Sequence, residues 1–307
     1  MNSSRAITAL HNRSSVLLRD YAELFKVRVN ALIILTAWCG CLFACTRSGQ
    51  SSVSLQVLHA IIGIGLVTAG SAGLNEVMER KLDGKMRRTC LRPLVTGSMS
   101  LLHALIASTL MVVTGTVYVA YTCNLATAIL TVLTCAVYLG IYTPLKTVGP
   151  LCTFVGAIPG AMPPVLGWVA IRGRVELPAV SLFTIIFLWQ FPHFHAIGLM
   201  YREDYRRAGI KMLATVESTT RKARKAALAY SLLLLPASLF PAILGLTGKA
   251  YGVLAILLDL ALLWYGWRLQ SADAERDSQL KTLSRRMLRA TVCYLPLLFA
   301  LMVLDRL

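Results

Sequence analysis

Long apolar segments, separated by short polar or basic connections, recur along almost the whole chain. Each is long enough to cross a bilayer, because about 20 helical residues span the hydrocarbon core. The pattern therefore predicts an all-α integral membrane protein with nine transmembrane helices. The predicted spans are residues 30–46, 55–77, 101–121, 124–142, 149–170, 178–200, 226–246, 250–268 and 288–305.

The composition agrees with this pattern. Hydrophobic residues make up 56% of the chain and charged residues only 15%, which excludes an ordinary soluble domain. We expect a single membrane domain over residues 30–305, preceded by a polar, basic segment over residues 1–29. We expect no cleavable signal peptide, since the first apolar run is itself long enough to span.

The charge of the chain is strongly positive, with a formal net charge of +17. Of the 31 lysines and arginines, 26 fall on the N-terminal segment and on one alternating set of connections, which includes residues 78–100, 201–225 and 268–288. By the positive-inside rule this set is cytoplasmic, as is the N-terminus. The basic balance thus indicates topology in a cytoplasmic (inner) membrane and contact with anionic lipid, and no nucleic acid partner. Because the long connections lie on this side, we expect the chemistry at the cytoplasmic face.

An acidic cluster ends the second predicted span. Glu76, Glu79 and Asp83 fall within eight residues of a chain that has only 14 acidic residues. Asn75, Glu79 and Asp83 are spaced i, i+4, i+8, so on a helix they line one face. Carboxylate and amide oxygens in this arrangement suit Mg²⁺, which commonly binds together with substrate phosphates. The alternative is a solvated helix end with local charge pairs.

Basic residues follow this cluster and recur after the fourth span. Arg87, Arg88 and Arg92 lie within six residues, and guanidinium groups bind phosphate oxygens bidentately. Lys146 ends the fourth span on the same predicted side and could meet the same diphosphate. The alternative is that all four only anchor the positive-inside topology.

A second polar, arginine-bearing stretch ends the sixth span and forms a weak internal repeat with the first. Glu203 and Asp204 offer further oxygen ligands, while Tyr201 and Tyr205 offer hydrogen bonds or a π face to a carbocation. Span parity places both stretches at one membrane surface, where they could hold a diphosphate and its Mg²⁺ between them. The alternative is an interfacial aromatic belt with charged neighbours.

Two histidines lie near the inner end of the sixth span. His193 is a functional candidate because ionisable residues are rare at membrane depth, and it could bind haem iron or act as a base. His195 is a weaker candidate, since residues at i and i+2 do not share a helix face. The alternative is a polar residue that joins two helices. In the fifth span, Gly, Pro and Ala residues over 156–167 predict a kink or a close helix contact.

Taken together, these stretches resemble the protohaem IX farnesyltransferases (haem O synthases) of the UbiA prenyltransferase superfamily, over roughly residues 20–305. The resemblance is carried by Asn75, Glu79 and Asp83 and by residues 86–89, 92–94, 142–146, 189–194, 201–205 and 208–213. No single one of these motifs is specific enough alone. Two positions depart from the superfamily pattern: Glu79 stands where Asp is usual, and His193 stands about where the second motif has its first Asp.

The resemblance implies a nine-helix UbiA-type bundle with cytoplasmic cap loops. It implies farnesyl diphosphate as donor and the 2-vinyl group of haem B as acceptor, with water adding to give a hydroxyethylfarnesyl side chain. It assigns Mg²⁺ to Asn75, Glu79, Asp83 and Asp204, the surviving acid of the second motif. Catalytic roles fall on these and on Arg87, Arg88, Lys146 and Tyr201, and cofactor-binding roles on His193, Arg92 and Tyr205. A terminal oxidase or a haem-modifying enzyme is the partner that this function would bring.

Two other functions remain open from the sequence. A prenyltransferase of the same superfamily that acts on an aromatic quinone precursor would share the acidic and arginine motifs. A haem-carrying membrane transporter would account for nine spans and the histidines, but not for Asn75, Glu79 and Asp83 beside the arginines.

Overall fold

The computed structural model describes residues 17–51, 53–216, 220–272 and 277–307. Within these ranges, nine helices are long and apolar enough to cross a membrane. We label them α1 to α9: Val27–Ser48, Leu55–Asp83, Leu101–Thr122, Leu125–Leu145, Cys152–Arg172, Leu177–Met200, Arg221–Ile243, Lys249–Gln270 and Asp277–Leu304. Most of the predicted N-terminal segment 1–29 lies outside the described residues, and residues 17–24 of it form a short helix.

Polar residues cap the starts of three of the helices. Ser54, Ser100 and Asn124 each accept a hydrogen bond from the backbone three residues later, at the starts of α2, α3 and α4. Such caps satisfy backbone N–H groups that have no partner inside the helix. The α4 helix changes to π-helical geometry over Val137–Tyr142 before its last turn at Thr143–Leu145.

The helices pack in two neighbouring groups around a common core. In the first group α2 packs on α3 and α1, and α3 packs on α4. In the second, α6 packs on α7 and α9, and α8 packs on both α7 and α9. The α5 helix joins them, because its first half contacts α6 and its second half contacts α1. Trp168 of α5 is fully buried at this junction.

The predicted break in the fifth span is confirmed. The α5 helix consists of two pieces, Cys152–Ala161 and Pro163–Arg172, which meet at Met162. Its small residues let α1 approach closely: a Cβ added to Gly167 would lie 2.0 Å from the carbonyl oxygen of Ala37. Any larger side chain at this position would push the two helices apart.

Two predicted connections are partly helical. The α2 helix continues through the acidic stretch as far as Asp83. The predicted connection 268–288 is wrong over its second half, because α9 begins at Asp277 and not near residue 288. Its first three turns carry several basic residues, which lowered the local hydropathy and hid the helix. Short helices, Pro93–Thr96, Arg202–Ala208 and Leu213–Val216, occupy the other long connections.

Candidate active site

The acidic cluster lies on the last turns of α2, and its predicted helical spacing is confirmed. Asn75, Glu79 and Asp83 are all buried, so the three side chains share an inward-facing side of the helix. This burial argues against a solvated helix end, because charged side chains are rarely buried without partners. The partners are cations from three other parts of the chain.

Asn75 is held from both sides. The Lys26 ammonium, directly before α1, donates to its Oδ1 at 3.0 Å. Its own Nδ2 donates to Thr143 Oγ1 on α4 at 3.1 Å. Burial, together with the neighbouring charges of Arg92 and Lys146, lowers the pKa of Lys26 to about 8. The sequence analysis counted Lys26 only toward topology, so its place in the site comes from the structure.

The Glu79 carboxylate pairs with Lys146, the basic residue that follows α4. Lys146 Nζ lies 2.6 Å from Glu79 Oε1 and 4.5 Å from the centre of the Tyr142 ring. Burial disfavours the ammonium charge, but the acidic groups of Tyr142 and Glu79 outweigh it and raise the pKa of Lys146. Lys146 is therefore a permanent cation beside the predicted metal ligand.

The Asp83 carboxylate pairs with Arg92, which returns to the end of α2 from the following connection. Arg92 donates to Asp83 Oδ2 at 2.7 Å. Burial opposes the guanidinium charge, yet Asp83 and Glu76 together raise the pKa of Arg92. The predicted neighbourhood of acids and arginine is thus present, with Arg92 bound directly to a predicted metal ligand.

Glu76 is a site residue that the sequence analysis did not assign. Its side chain is fully buried, and neither carboxylate oxygen has a hydrogen-bond partner. The nearest cation is Arg92, whose Nε lies 3.8 Å from Oε2. A buried carboxylate without hydrogen bonds is costly, so it marks a place where a ligand or rearrangement would be favourable. From sequence, Glu76 counted only as a member of the acidic cluster, because it falls outside the i, i+4, i+8 spacing of Asn75, Glu79 and Asp83.

Arg88 connects the two predicted stretches. Its Nη2 donates to the Tyr205 hydroxyl at 3.2 Å, and its guanidinium carbon lies 5.4 Å from the centre of the Tyr201 ring. The Arg88 and Arg87 side chains are otherwise exposed. Behind them, Met86 packs against Tyr205 in a small apolar cluster. The structure therefore brings the connection after α2 against the connection after α6, as the repeat predicted.

Asp204 stands apart from the other predicted metal ligands. Its carboxylate is paired with Arg207, one turn later in the same short helix. Glu203 is paired with Arg206 on the exposed side. Across the described part of the chain, no three His, Cys, Asp or Glu side chains are grouped so that they could hold a metal ion. The joint assignment of Mg²⁺ to Asn75, Glu79, Asp83 and Asp204 stays a prediction.

The residues at the end of α2 nevertheless fit a Mg²⁺–diphosphate group by their chemistry. Glu79 and Asp83 are hard oxygen donors, Glu76 has unsatisfied oxygens, and each ion-paired cation is one that binds phosphate well. A diphosphate would take over these cations and free the carboxylates for the metal. Binding of a Mg²⁺–diphosphate group would therefore require these acids and cations to exchange partners, and it would need no further side chain.

His193 and His195 face different surroundings, as the i, i+2 spacing predicts. His193 Nδ1 lies 3.0 Å from Thr291 Oγ1 on α9, and its ring stacks on Trp189 with the centres 4.8 Å apart. Trp189 itself donates to the Thr291 carbonyl at 2.8 Å. His195 is buried beside Phe191. His193 thus joins α6 to α9, which is the structural alternative, and its predicted haem contact remains a prediction.

Comparisons with known proteins agree on the family. A profile of the UbiA prenyltransferase family matches residues 32–291. The chain is 50% identical to a protein from Koribacter versatilis (strain Ellin345) named protoheme IX farnesyltransferase, over 94% of each chain. A protein of the same name from Solibacter usitatus (strain Ellin6076) is 41% identical, over 94% of this chain and 99% of the relative.

Solved structures share the fold at lower identity. A digeranylgeranylglyceryl phosphate synthase superposes with a TM-score of 0.71 at 19% identity, over 93% of this chain and 98% of that one. A UbiA homolog from Archaeoglobus fulgidus, solved with GPP and Mg²⁺, gives 0.66 at 17% identity, over 92% and 99%. With its multi-pass helical bundle and these relatives, the chain belongs to the UbiA prenyltransferase family.

Proposed function

We propose that this protein transfers the farnesyl group of farnesyl diphosphate to the 2-vinyl group of haem B, giving haem O and releasing diphosphate. The relatives named protoheme IX farnesyltransferase, at up to 50% identity over nearly the whole chain, support this donor and acceptor. The observation that carries the chemistry is the end of α2, where buried carboxylates are matched by Lys26, Lys146 and Arg92.

The first task of this site is to hold a diphosphate. Asn75, Glu79 and Asp83 would hold Mg²⁺, as a homolog of the same fold was solved with a prenyl diphosphate and this ion. When bound, Mg²⁺ supplies positive charge against the oxygens of the departing diphosphate. Lys146 and Arg92 exchange their carboxylate partners for diphosphate oxygens, which keeps the number of ion pairs constant while the substrate binds.

The second task is to stabilise charge as the C1–O bond of the farnesyl group breaks. The electron pair leaves with the diphosphate, where Lys146, Arg92 and Arg88 stabilise it. The rings of Tyr201 and Tyr205 already accept the Arg88 cation and present π faces beside the developing allylic cation. The terminal vinyl carbon of haem B bonds to C1. Water then adds to the other vinyl carbon and loses a proton to solvent.

The membrane setting follows from the same assignment. The farnesyl chain and the haem macrocycle are apolar and reach the site laterally from lipid, while the diphosphate stays at the membrane surface. The distribution of lysine and arginine supports a cytoplasmic (inner) membrane with this surface facing the cytoplasm. The cap formed by the connections after α2 and α6 then lies on the cytoplasmic side, and a terminal oxidase or haem-modifying enzyme would receive the product.

The experiment is expression in a host that lacks its own enzyme for this step, followed by extraction of haems and mass spectrometry. We expect a haem B derivative that carries a hydroxyethylfarnesyl group. A matched strain expressing Asp83→Asn at the same membrane level controls for background. Haem B alone, from well-inserted wild-type protein with farnesyl diphosphate present, would contradict the proposal.

A further inference from the structure

A cavity of about 520 Å³ opens between the end of α6 and the first turns of α9, outside the acidic cluster. Two of its lining residues, Lys281 and Arg285, lie on the part of α9 that the sequence predicted to be a connection, whereas Leu288 and Arg289 lie at the start of the predicted span. The lining residues are Met200, Tyr201, Lys281, Arg285, Leu288 and Arg289.

The lining is strongly cationic. Lys281, Arg285 and Arg289 follow each other at intervals of four residues, so they lie along one side of α9. Among the described residues, no carboxylate lines the cavity. Arg285 and Arg289 are exposed, and in the described ranges neither forms a hydrogen bond or ion pair with another residue. Two guanidinium groups that have no acidic partner favour a ligand with more than one negative charge.

The cavity shares a residue with one candidate substrate site and a helix with the other. Tyr201 lines it and carries the Arg88 guanidinium on its ring at 5.4 Å, which links it to the proposed diphosphate site. Thr291, the partner of His193, is on the same helix as the cavity arginines. At a rise of about 1.5 Å per residue, Arg289 precedes Thr291 by about 3 Å along the axis and Arg285 by about 9 Å. The cations thus lie at the membrane-surface end of the α6–α9 seam.

We propose that this cavity binds the two propionate carboxylates of the haem acceptor, an inference that rests on the proposed function. The two propionates leave one edge of the macrocycle, and the vinyl groups lie on the half away from that edge. Propionates held at Arg285 and Arg289 would keep the charged edge at the surface and direct the vinyl half past Tyr201 toward the farnesyl carbon. Guanidinium groups suit this role because they bind carboxylates bidentately.

The test compares haem B with its dimethyl ester, in which both propionate charges are removed. Binding of each is titrated by absorbance to protein in zwitterionic phosphatidylcholine nanodiscs, without farnesyl diphosphate. Wild-type protein should bind haem B about tenfold more tightly than the ester, which corresponds to about 1.4 kcal/mol. The double variant Arg285→Gln/Arg289→Gln should lose this preference, whereas Arg285→Lys/Arg289→Lys should keep part of it.

The matched control is Arg286→Gln, which removes the same charge from the next position of α9. Arg286 lines a second cavity, between α8 and α9, which Arg289 also lines, but Arg286 is not among the residues that line the proposed propionate cavity. Its replacement should leave the preference for haem B over the ester unchanged. Binding of farnesyl diphosphate should be the same in all variants, which shows that the protein is folded and inserted.

Three results would overturn the inference. They are an equal affinity of wild-type protein for haem B and its ester, a preference that survives in the double glutamine variant, or an equal loss in Arg286→Gln. The inference is also contradicted if the double glutamine variant loses copurified anionic phospholipid but keeps the preference for haem B over its ester. That result would assign the cavity to lipid headgroups. Because no turnover is measured, failure here is separable from failure to form farnesylated haem.

Discussion

Buried carboxylates at two places in this bundle have very different partners. At the end of α2, Glu76 is fully buried with neither oxygen hydrogen-bonded, while Glu79 and Asp83 rely on mobile, long-armed cations. Half-way along α8, Asp259 is equally buried, yet both of its oxygens are satisfied by hydroxyl groups. Burial alone therefore does not distinguish a functional acid from a structural one.

The Asp259 network ties three helices together. Ser238 of α7 donates to Oδ2 at 2.5 Å, and Tyr294 of α9 donates to Oδ1 at 2.7 Å. Tyr251 in turn donates to the Ser238 carbonyl at 2.6 Å. Such a closed network fixes how α7, α8 and α9 pack, since each buried polar group is satisfied only in this arrangement. It leaves no polar atom of Asp259 for a ligand.

The kind of partner, a hydroxyl group or a long cationic side chain, distinguishes the structural acid from the candidate functional acids. Hydroxyl partners on neighbouring helices are fixed by packing, so Asp259 stabilises the bundle. Lysine and arginine partners can turn toward an incoming diphosphate, so the α2 acids can change partners.

The sharpest test is Asp83→Asn. It keeps the shape of the side chain but removes the charge that pairs with Arg92 and that we propose as a ligand of Mg²⁺. We expect kcat/KM to fall by about 10³-fold and Mg²⁺-dependent binding of farnesyl diphosphate to be lost, since charge stabilisation of this kind commonly contributes factors of 10² to 10³. Kinetics and diphosphate binding on nanodisc protein measure both. Retention of turnover would remove Asp83 from the metal site.

Glu79 tests whether charge or reach matters at the middle position. Glu79→Ala should lower kcat/KM by about 10²-fold, while Glu79→Asp keeps a carboxylate that Lys146 can still approach and should cost about tenfold. Steady-state rates of the two variants, at matched protein levels, give the comparison. An equal loss in both would mean that the length of the side chain, rather than its charge, is decisive.

Asp259→Asn tests the structural group. The amide places a donor against the Ser238 or Tyr294 hydroxyl, so we expect the free energy of unfolding to fall by about 2 kcal/mol. Denaturant titration in mixed micelles measures this change. The kcat/KM of the folded fraction should stay within about twofold of wild type, because Asp259 acts only in helix packing. A large loss of turnover at unchanged stability would contradict a purely structural role for Asp259.

Glu76→Gln is the smallest change and carries an unusual sign. It removes a buried charge that has no hydrogen bond, so the free energy of unfolding should rise by about 1 kcal/mol. Turnover should fall by about tenfold, because the charge balance around Arg92 changes. Parallel unfolding and rate measurements decide it. A variant that is less stable and fully active would place Glu76 with Asp259 among the structural acids.

Several parts of the fold were predictable from local pattern. The nine spans follow from apolar length, and the break in α5 follows from its glycines and prolines. The start of α9 was not predictable in this way, because Lys281, Arg285 and Arg286 made its first turns resemble a connection. Hydropathy predicts which segments a bilayer accepts. A helix can continue beyond that segment as long as its backbone is hydrogen-bonded and its side chains contact water or a ligand.

The candidate site likewise contains some residues that local pattern predicted and others that it did not. Asn75, Glu79, Asp83, Arg88, Arg92 and Lys146 were all singled out by type and spacing. Lys26 and Asp259 were not, since nothing local separates a lysine before a span or an acid inside one from its neighbours. Their roles depend on residues at least 21 positions away. Glu76 was counted in the acidic cluster without a role of its own, and it is distinguished in the structure by the absence of a hydrogen-bonding partner.

The sequence by itself determined that this protein is a helical membrane bundle with an acidic and basic face at one end, because apolar length and helical spacing are local properties. The tertiary structure decided which cation meets which acid, which buried acid is satisfied, and that three cations of α9 surround one cavity beside α6. These outcomes depend on how separate helices dock, and docking is set by long-range packing that no short stretch of sequence encodes.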